Sequence, residues 1–176
     1  MAALIEAAKA PDYPAEIALV VSNVPQAAGL LRAQDEAIAT AVLDHSTFED
    51  KRSFEAALDD LLKVQRIEIV ALAGFMRILG APFCERWAGR LINIHPSLLP
   101  NFKGLHTHER ALSAGVAEHG CTVHHVTAGM DEGPIIDQAR VPVLLGDTAD
   151  TLAARVLVEE HKLYPEALAR IARTLC

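Results

Sequence analysis

The chain has 176 residues, of which 51% are hydrophobic and 22% are charged, and its formal net charge is −7. This length and apolar content allow one domain with a substantial core, and the acidic balance argues against binding to nucleic acid or to an anionic membrane surface. No apolar run approaches the roughly 20 residues that cross a bilayer, and no secretory signal opens the chain. Three widely spaced cysteines suit reduced thiols in a cytosol: Cys84, Cys121 and Cys176. We therefore expect a single cytoplasmic domain, residues 1–176.

The spacing of apolar residues predicts alternating helices and strands. In chain order, the predicted elements are helix 1–10, strand 16–22, helix 26–35, strand 37–43, helix 53–65, strand 67–73, helix 82–87, strand 91–95, helix 106–114, strand 121–127, strand 135–143 and helix 148–175. The run 67–73 (IEIVALA) is the most apolar and is expected to lie at the centre of the sheet. This alternation predicts an α/β fold whose sheet is mostly parallel and flanked by helices.

Two polar side chains occupy the end of the predicted strand 91–95. Asn93 and His95 are two positions apart, so they share one face while the strand persists. Pro96 follows directly and holds His95 in an extended conformation. Since ligands of open α/β sheets bind at the carboxyl ends of strands, the pair is a candidate catalytic site. The alternative is a structural asparagine beside a hydrogen-bonded histidine.

A second polar loop, 130–134 (MDEGP), offers a partner for this pair. A carboxylate such as Asp131 favours the imidazolium form of a nearby histidine and orients its ring. Asn93 and a protonated His95 could then stabilise an oxyanion together. The alternative for Asp131 is a simple turn-forming residue before Gly-Pro.

Eight histidines also raise the hypothesis of a metal site. We do not favour it, because neither H-E-x-x-H nor C-x-x-C occurs, and zinc sites usually place such pairs beside a carboxylate or cysteine at fixed spacing. His124 and His125 face opposite sides of their predicted strand, so at most one of them reaches any given site. We therefore predict no metal ligands.

Five stretches together resemble the glycinamide ribonucleotide formyltransferases, the folate-dependent enzymes of purine synthesis. These stretches occur in family order and span nearly the whole chain: A-L-A-G-F-M-R-I-L (71–79), N-I-H-P-S-L-L-P (93–100), G-L-H-T-H-E-R-A-L (104–112), G-C-T-V-H-H-V-T (120–127) and D-E-G-P-I-I-D-Q-A (131–139). The resemblance implies a Rossmann-like formyltransferase fold. It also implies transfer of a formyl group from 10-formyltetrahydrofolate, as co-substrate, to the amine of 5-phosphoribosylglycinamide.

The resemblance assigns roles to individual residues. The family's catalytic trio falls on Asn93, His95 and Asp131. The folate pocket falls on the backbone of Met76, Arg77, Ile78 and Leu79, on Asn93, and on a basic residue at Lys51 or Arg52. The carboxylate that contacts the ribose falls on Glu160. Without that resemblance, Glu160 on the last helix would be expected to face solvent.

One departure separates this sequence from the family pattern. The family opens with a strand and a Gly-Ser-Asn turn that holds the substrate phosphate, and neither is present in residues 1–176. We therefore expect a sheet that lacks its first strand. Two alternatives follow: an enzyme that hydrolyses formyltetrahydrofolate, or a folate-binding remnant with little activity. Small molecules are the expected partners, and the chain is expected to be a monomer or a homodimer.

Overall fold

The computed structural model describes residues 1–175 as an α/β fold. Its strands are β1 Leu19–Ser22, β2 Ala39–Val42, β3 Val70–Leu72, β4 Leu91–His95, β5 Glu118–His125 and β6 Ile135–Pro142. Its helices are α1 Ala2–Ala7, α2 Ala28–Asp35, α3 Lys51–Val64, α4 Ala81–Arg86, α5 Thr107–Ser113 and α6 Ala149–Leu175, with a short 3₁₀ turn at His45–Thr47. The predicted alternation of helices and strands is confirmed.

The six strands form two separate sheets. β1 pairs with β2 in parallel, and the other four follow the order β3-β4-β5-β6. β3 and β4 are parallel, whereas β5 runs antiparallel to both β4 and β6. The predicted Rossmann-like class is therefore confirmed, with its parallel pairing confined to the first four strands. The antiparallel β5–β6 pair was not predicted, since apolar alternation carries no information about strand direction.

Two hydrophobic cores cover the sheets. One core packs α1 and nearly the whole length of α6 against β4 and β5, and Tyr164 of α6 donates a hydrogen bond to the Leu72 carbonyl at 2.6 Å. The other core packs α3 and α4 against residues of β1 and β3. Helices of both cores are amphipathic, so each buries its apolar stripe and leaves charges outside. Within residues 1–175, no helix is both long and apolar enough to cross a bilayer.

The most apolar strand is not central, and that prediction was wrong. β3 borders its sheet, and its free edge faces β1 across a cavity of about 530 Å³ instead of a paired strand. Local hydrophobicity reports that helices cover both faces of a strand, but it does not report which edges are paired.

Helix α3 begins two residues earlier than predicted because of its capping box. Asp50 accepts a hydrogen bond from the Ser53 backbone N–H at 2.7 Å, and the Ser53 hydroxyl bonds back to Asp50. Such caps contribute about 1 kcal/mol. The cap places both members of the basic pair, Lys51 and Arg52, in the exposed first turn of α3.

Candidate functional site

Strand β4 positions the first two predicted site residues. Asn93 pairs with Leu72 of β3 on one side and with His124 of β5 on the other, so it is held from both directions. His95 ends the strand and is 6% exposed. The predicted juxtaposition of an amide and an imidazole at a strand end is present in the structure.

His95 contacts hydrogen-bond acceptors through both ring nitrogens. Its Nδ1 lies 3.4 Å from Asp131 Oδ2, and its Nε2 lies 3.0 Å from the Phe102 carbonyl oxygen. A neutral imidazole carries one N–H and one acceptor nitrogen, whereas an imidazolium donates from both. Both ring nitrogens of His95 therefore face acceptor oxygens.

Asp131 reaches the site from a tight bend with left-handed backbone geometry (φ 50°). Its Oδ2 accepts a hydrogen bond from the Gly104 backbone N–H at 2.9 Å, which fixes the carboxylate against the loop after β4. The bend lies close against β5, because a Cβ built at Gly133 would stand 1.7 Å from the His125 carbonyl oxygen. Only glycine fits there, and this close approach brings Asp131 to His95.

His124 belongs to the same cluster, although the sequence alone did not single it out. Its Nδ1 donates to the His125 carbonyl at 2.9 Å, so its Nε2 is free to accept from the Asn93 amide at 3.4 Å. The same Nε2 lies 3.7 Å from Asp131 Oδ1. Burial lowers the pKa of His124, which keeps the ring neutral. The feature that identifies His124 as a member of the cluster is the antiparallel register of β4 and β5.

A buried hydrogen-bond hub fixes the loop that follows His95. Thr122 of β5 donates to the Ser97 carbonyl at 2.7 Å and accepts from the Leu99 N–H at 3.0 Å. Gln138 of β6 donates to both Thr122 and the Leu99 carbonyl, at 2.8 and 2.9 Å. Strands β5 and β6 therefore determine where the loop leaves β4.

Two further histidines pack beneath this loop. His119 is fully buried, and its ring makes edge contacts with Phe102 and His108 at centroid distances of 5.9 and 5.2 Å. Burial, reinforced by the neighbouring His108, lowers the pKa of His119 to about 4. These rings support the loop as neutral aromatic groups. Within residues 1–175, no three histidine, cysteine, aspartate or glutamate side chains are grouped as a metal site requires.

The residues predicted for folate lie on two separate elements. The Met76 side chain is 80% exposed, whereas the Leu79 side chain is buried at 3%. Their segment follows the carboxyl end of β3, the neighbour of β4. Lys51 and Arg52 are exposed at the start of α3, and Lys51 Nζ lies 3.8 Å from Glu55.

Glu160 has a different neighbourhood from the His95 cluster. It lies part-buried on α6 rather than on a solvated face, and burial raises its pKa, opposed by the Met1 amino group. Burial, together with the nearby Glu160 carboxylate, raises the pKa of the Cys121 thiol to about 12. Cys84 and Cys121 are free thiols, and Cys176 lies outside the described residues.

Comparison with known proteins identifies the family. The family model described as formyl transferase matches residues 1–168. The phosphoribosylglycinamide formyltransferase of Escherichia coli K12 is 46% identical over 163 residues, which cover 93% of this chain and 77% of that protein. The chain belongs to the phosphoribosylglycinamide formyltransferases. Members of this family are one-carbon transferases of purine biosynthesis, and they use 10-formyltetrahydrofolate as the formyl donor.

Solved structures and longer relatives agree with this family. The phosphoribosylglycinamide formyltransferase of Brucella melitensis superimposes with a TM-score of 0.93 at 55% identity, over 97% of this chain and 88% of that one. The human trifunctional purine biosynthetic protein adenosine-3 is 48% identical over 97% of this chain. The chain spans only 17% of the length of that trifunctional relative.

Proposed function

We propose that this chain transfers the formyl group of 10-formyltetrahydrofolate to the glycinamide amine of 5-phosphoribosylglycinamide, with Asn93, His95 and Asp131 as its catalytic residues. Membership of the family supports the reaction. The observation that carries the residue assignment is the 3.4 Å approach of Asp131 to His95, between residues 36 positions apart in sequence (131 − 95). Residues 1–176 would act as one cytoplasmic domain, as a monomer or a homodimer.

The first proposed step is attack of the amine on the formyl carbon, which gives a tetrahedral intermediate with a negatively charged oxygen. Asn93 has two amide N–H groups, and one of them is directed at His124. The second is available to the oxyanion. His95 is the other donor, and its Nε2 must exchange the Phe102 carbonyl for the oxyanion. The free Asn93 N–H is preorganised, and such a donor lowers the barrier because it needs no reorientation during the reaction.

The second step moves a proton from the attacking amine to the departing folate nitrogen. Asp131 is the charged group beside His95, and it holds the ring in the orientation that donates. Its other oxygen faces the neutral His124 at 3.7 Å. We assign Asp131 the proton transfer, directly or through one water molecule, since a carboxylate within hydrogen-bond reach can serve as general base and then as general acid.

The ligand contacts are proposed from residues outside the His95 cluster. The backbone of Met76, Arg77, Ile78 and Leu79 borders the carboxyl end of β3 and offers N–H and C=O groups to the folate ring. Lys51 or Arg52 would meet the folate carboxylates. Glu160 would contact the ribose of the second substrate. No membrane or nucleic-acid partner is proposed.

The test is steady-state formyl transfer by the purified chain with both substrates. Removing one oxyanion donor costs on the order of 10²–10³ in rate, so Asn93→Ala and His95→Ala should each lose about that factor in kcat. His161→Ala, on an exposed face of α6, is the matched control and should keep full activity. Activity within a few-fold of the parent in both Asn93→Ala and His95→Ala would overturn the assignment.

The same assay separates the two alternatives. Release of formate at an equal rate without the glycinamide substrate would indicate a hydrolase. Folate binding by calorimetry without turnover and without binding of the phosphate ester would indicate a remnant. Formyl transfer that requires both substrates supports the proposal.

A further inference from the structure

Three polar side chains form one row across neighbouring strands: His95, Thr122 and Gln138. Thr122 of β5 is the direct partner of His95 on β4, and Gln138 of β6 is the direct partner of Thr122. Residues directly opposite one another on antiparallel strands place their side chains on the same face of the sheet. Gln138 therefore shares the face on which His95 lies, although a whole strand separates the two.

The Thr122 hydroxyl, in the middle of this row, uses its full hydrogen-bonding capacity. Thr122 is fully buried, and a hydroxyl has one hydrogen and two acceptor positions. The Leu99 N–H and the Gln138 amide nitrogen can only donate to it, at 3.0 and 2.8 Å. Its own hydrogen therefore goes to the Ser97 carbonyl at 2.7 Å. Three partners thus hold the hydroxyl in one orientation.

The Gln138 amide supplies two donors to the same hub. One Nε2 hydrogen binds Thr122, and the other binds the Leu99 carbonyl at 2.9 Å. Since a carbonyl only accepts, the nitrogen of the Gln138 amide, rather than its oxygen, faces Leu99. Leu99 is buried, and among residues 1–175 its carbonyl has no donor besides Gln138. A buried carbonyl without a donor is costly, so the loop should shift if Gln138 loses its amide.

The loop held by this hub is compact and returns to His95. The Ser97 hydroxyl donates to the Asn101 carbonyl at 2.7 Å, and the Asn101 N–H donates to the Leu98 carbonyl at 3.0 Å. The next residue, Phe102, supplies the carbonyl oxygen that lies 3.0 Å from His95 Nε2. A shift of the loop at the hub is therefore transmitted to the group that contacts the His95 ring.

We propose that Gln138 is a positioning residue for formyl transfer, which acts through Thr122 and the loop to orient the His95 ring. This inference rests on the proposed function, because the role of Gln138 requires that His95 be an oxyanion donor. A displacement of about 1 Å at a reacting group can cost on the order of 10²-fold in rate. Gln138 lies outside the residues proposed to bind the two substrates. Its loss should therefore lower kcat and leave KM nearly unchanged.

The test compares steady-state formyl transfer by the purified chain and its Gln138 variants. Gln138→Met keeps an unbranched side chain of similar length but has no hydrogen to donate. Its kcat should fall about 10- to 100-fold, with KM within about twofold of the parent. Gln138→Glu keeps the shape but turns a carboxylate towards the Leu99 carbonyl at neutral pH, so its kcat should fall as far.

Arg140→Met is the matched control. It makes the same replacement at an exposed position two residues further along β6, where the side chain pairs only with the exposed Glu118. It should keep the kcat and the KM of the parent.

A double-mutant cycle separates positioning of His95 from a general effect on structure. If Gln138 acts through His95, Gln138→Met should change kcat by less than about twofold once His95 is already alanine. A general loss of folded enzyme would instead lower the rate equally in both backgrounds. If Gln138→Met does not fold, Gln138→Glu takes its place in the cycle.

Amide hydrogen exchange provides a measurement that does not depend on turnover. The Leu99 N–H donates to Thr122, so its exchange reports whether the hub is intact. Exchange at Leu99 should be at least about tenfold faster in Gln138→Met than in the parent, and Arg140→Met should match the parent.

Several results would overturn the proposal. A kcat within about twofold of the parent in both Gln138 variants would do so, as would an equal loss in the parent and His95→Ala backgrounds. A loss confined to KM would assign Gln138 to substrate binding instead. Unchanged exchange at Leu99 would show that the loop does not depend on Gln138, and failure of both variants to fold would make Gln138 a purely structural residue.

The same measurements distinguish this failure from that of the catalytic assignment. If His95→Ala keeps the parent kcat, the assignment of His95 fails and this inference fails with it. If His95→Ala loses its activity while both Gln138 variants keep theirs, the proposed function stands and only the role of Gln138 is excluded.

Discussion

Asn93 and His124 lie directly opposite one another on β4 and β5, with Asn93 Nδ2 3.4 Å from His124 Nε2. His124 donates through Nδ1 to the His125 carbonyl, so its Nε2 must accept. The Asn93 side chain is thereby oriented with its amide nitrogen, rather than its oxygen, towards His124. An oxyanion donor requires this orientation, because only the nitrogen carries hydrogens.

We therefore expect His124 to act through Asn93 as a positioning residue. His124→Leu removes the acceptor and frees the Asn93 amide to rotate, so kcat should fall at least about tenfold while KM changes by about twofold or less. His124→Gln restores an acceptor and should recover part of the loss. Steady-state kinetics of the three proteins measure this. An unchanged kcat in the leucine variant would show that Asn93 needs no such support.

Asp131→Asn tests whether the charge of Asp131, rather than its shape, matters. Asparagine tolerates the left-handed backbone geometry and still accepts from the Gly104 N–H, so the fold should persist. The variant loses the negative charge beside His95, and kcat should fall about 10²-fold. Glu132→Gln, which removes an adjacent exposed charge, is the control and should keep its activity. Equal kcat in Asp131→Asn and the parent would exclude the proposed role.

His119 predicts a specific pH dependence of stability. Its pKa is about 4 in the folded chain against an ordinary value of 6.5, so between these values the unfolded chain binds a proton that the folded chain excludes. Stability should therefore fall as pH decreases from about 6.5 to about 4, by up to roughly 3 kcal/mol. Burial also lowers the pKa of His108 and His124, which adds to the slope in the same direction.

The measurement is urea unfolding at several pH values. His119→Phe keeps a buried ring without a titrating group, so its stability should vary less between pH 7 and pH 4.5 than that of the parent. His106→Phe, at a largely exposed histidine, is the matched control and should reproduce the parent slope. If the stability of His119→Phe changed with pH as steeply as that of the parent, the prediction that His119 is buried in its neutral form would be contradicted.

Gly133→Ala tests the close approach that delivers Asp131. The added methyl group meets the His125 carbonyl oxygen, so the bend must move away from β5. We expect a loss of about 1–3 kcal/mol in stability, together with at least a tenfold loss in kcat. Gly89→Ala is a matched control, since Gly89 has a left-handed φ of 76° but open space around it. It should lose about 1–2 kcal/mol and keep its kcat.

The sequence predicted those parts of the site that depend on local geometry. Asn93 and His95 share a face because they are two positions apart on one strand, and Pro96 marks where that strand ends. His124 could not be chosen over His125 by the same reasoning. Its selection depends on the antiparallel register of β4 and β5, which joins residues 31 positions apart (124 − 93). No local pattern carries that information.

The fold shows the same division between local and long-range information. The apolar run at 67–73 correctly indicated a strand, and β3 lies within it. Its expected central position was wrong, because whether a strand edge is paired depends on which other segments of the chain lie beside it. The early start of α3 could have been predicted from the sequence, since Asp50 and Ser53 have the spacing of a capping box.

The loop after β4 has a consequence for how the site opens. Phe102 supplies the carbonyl that binds His95, and Gly104, two residues on, supplies the N–H that binds Asp131. Any displacement of this short segment removes both partners at once. The contact of His95 with the Phe102 carbonyl and the hydrogen bond of Asp131 with the Gly104 N–H are therefore coupled through one short segment.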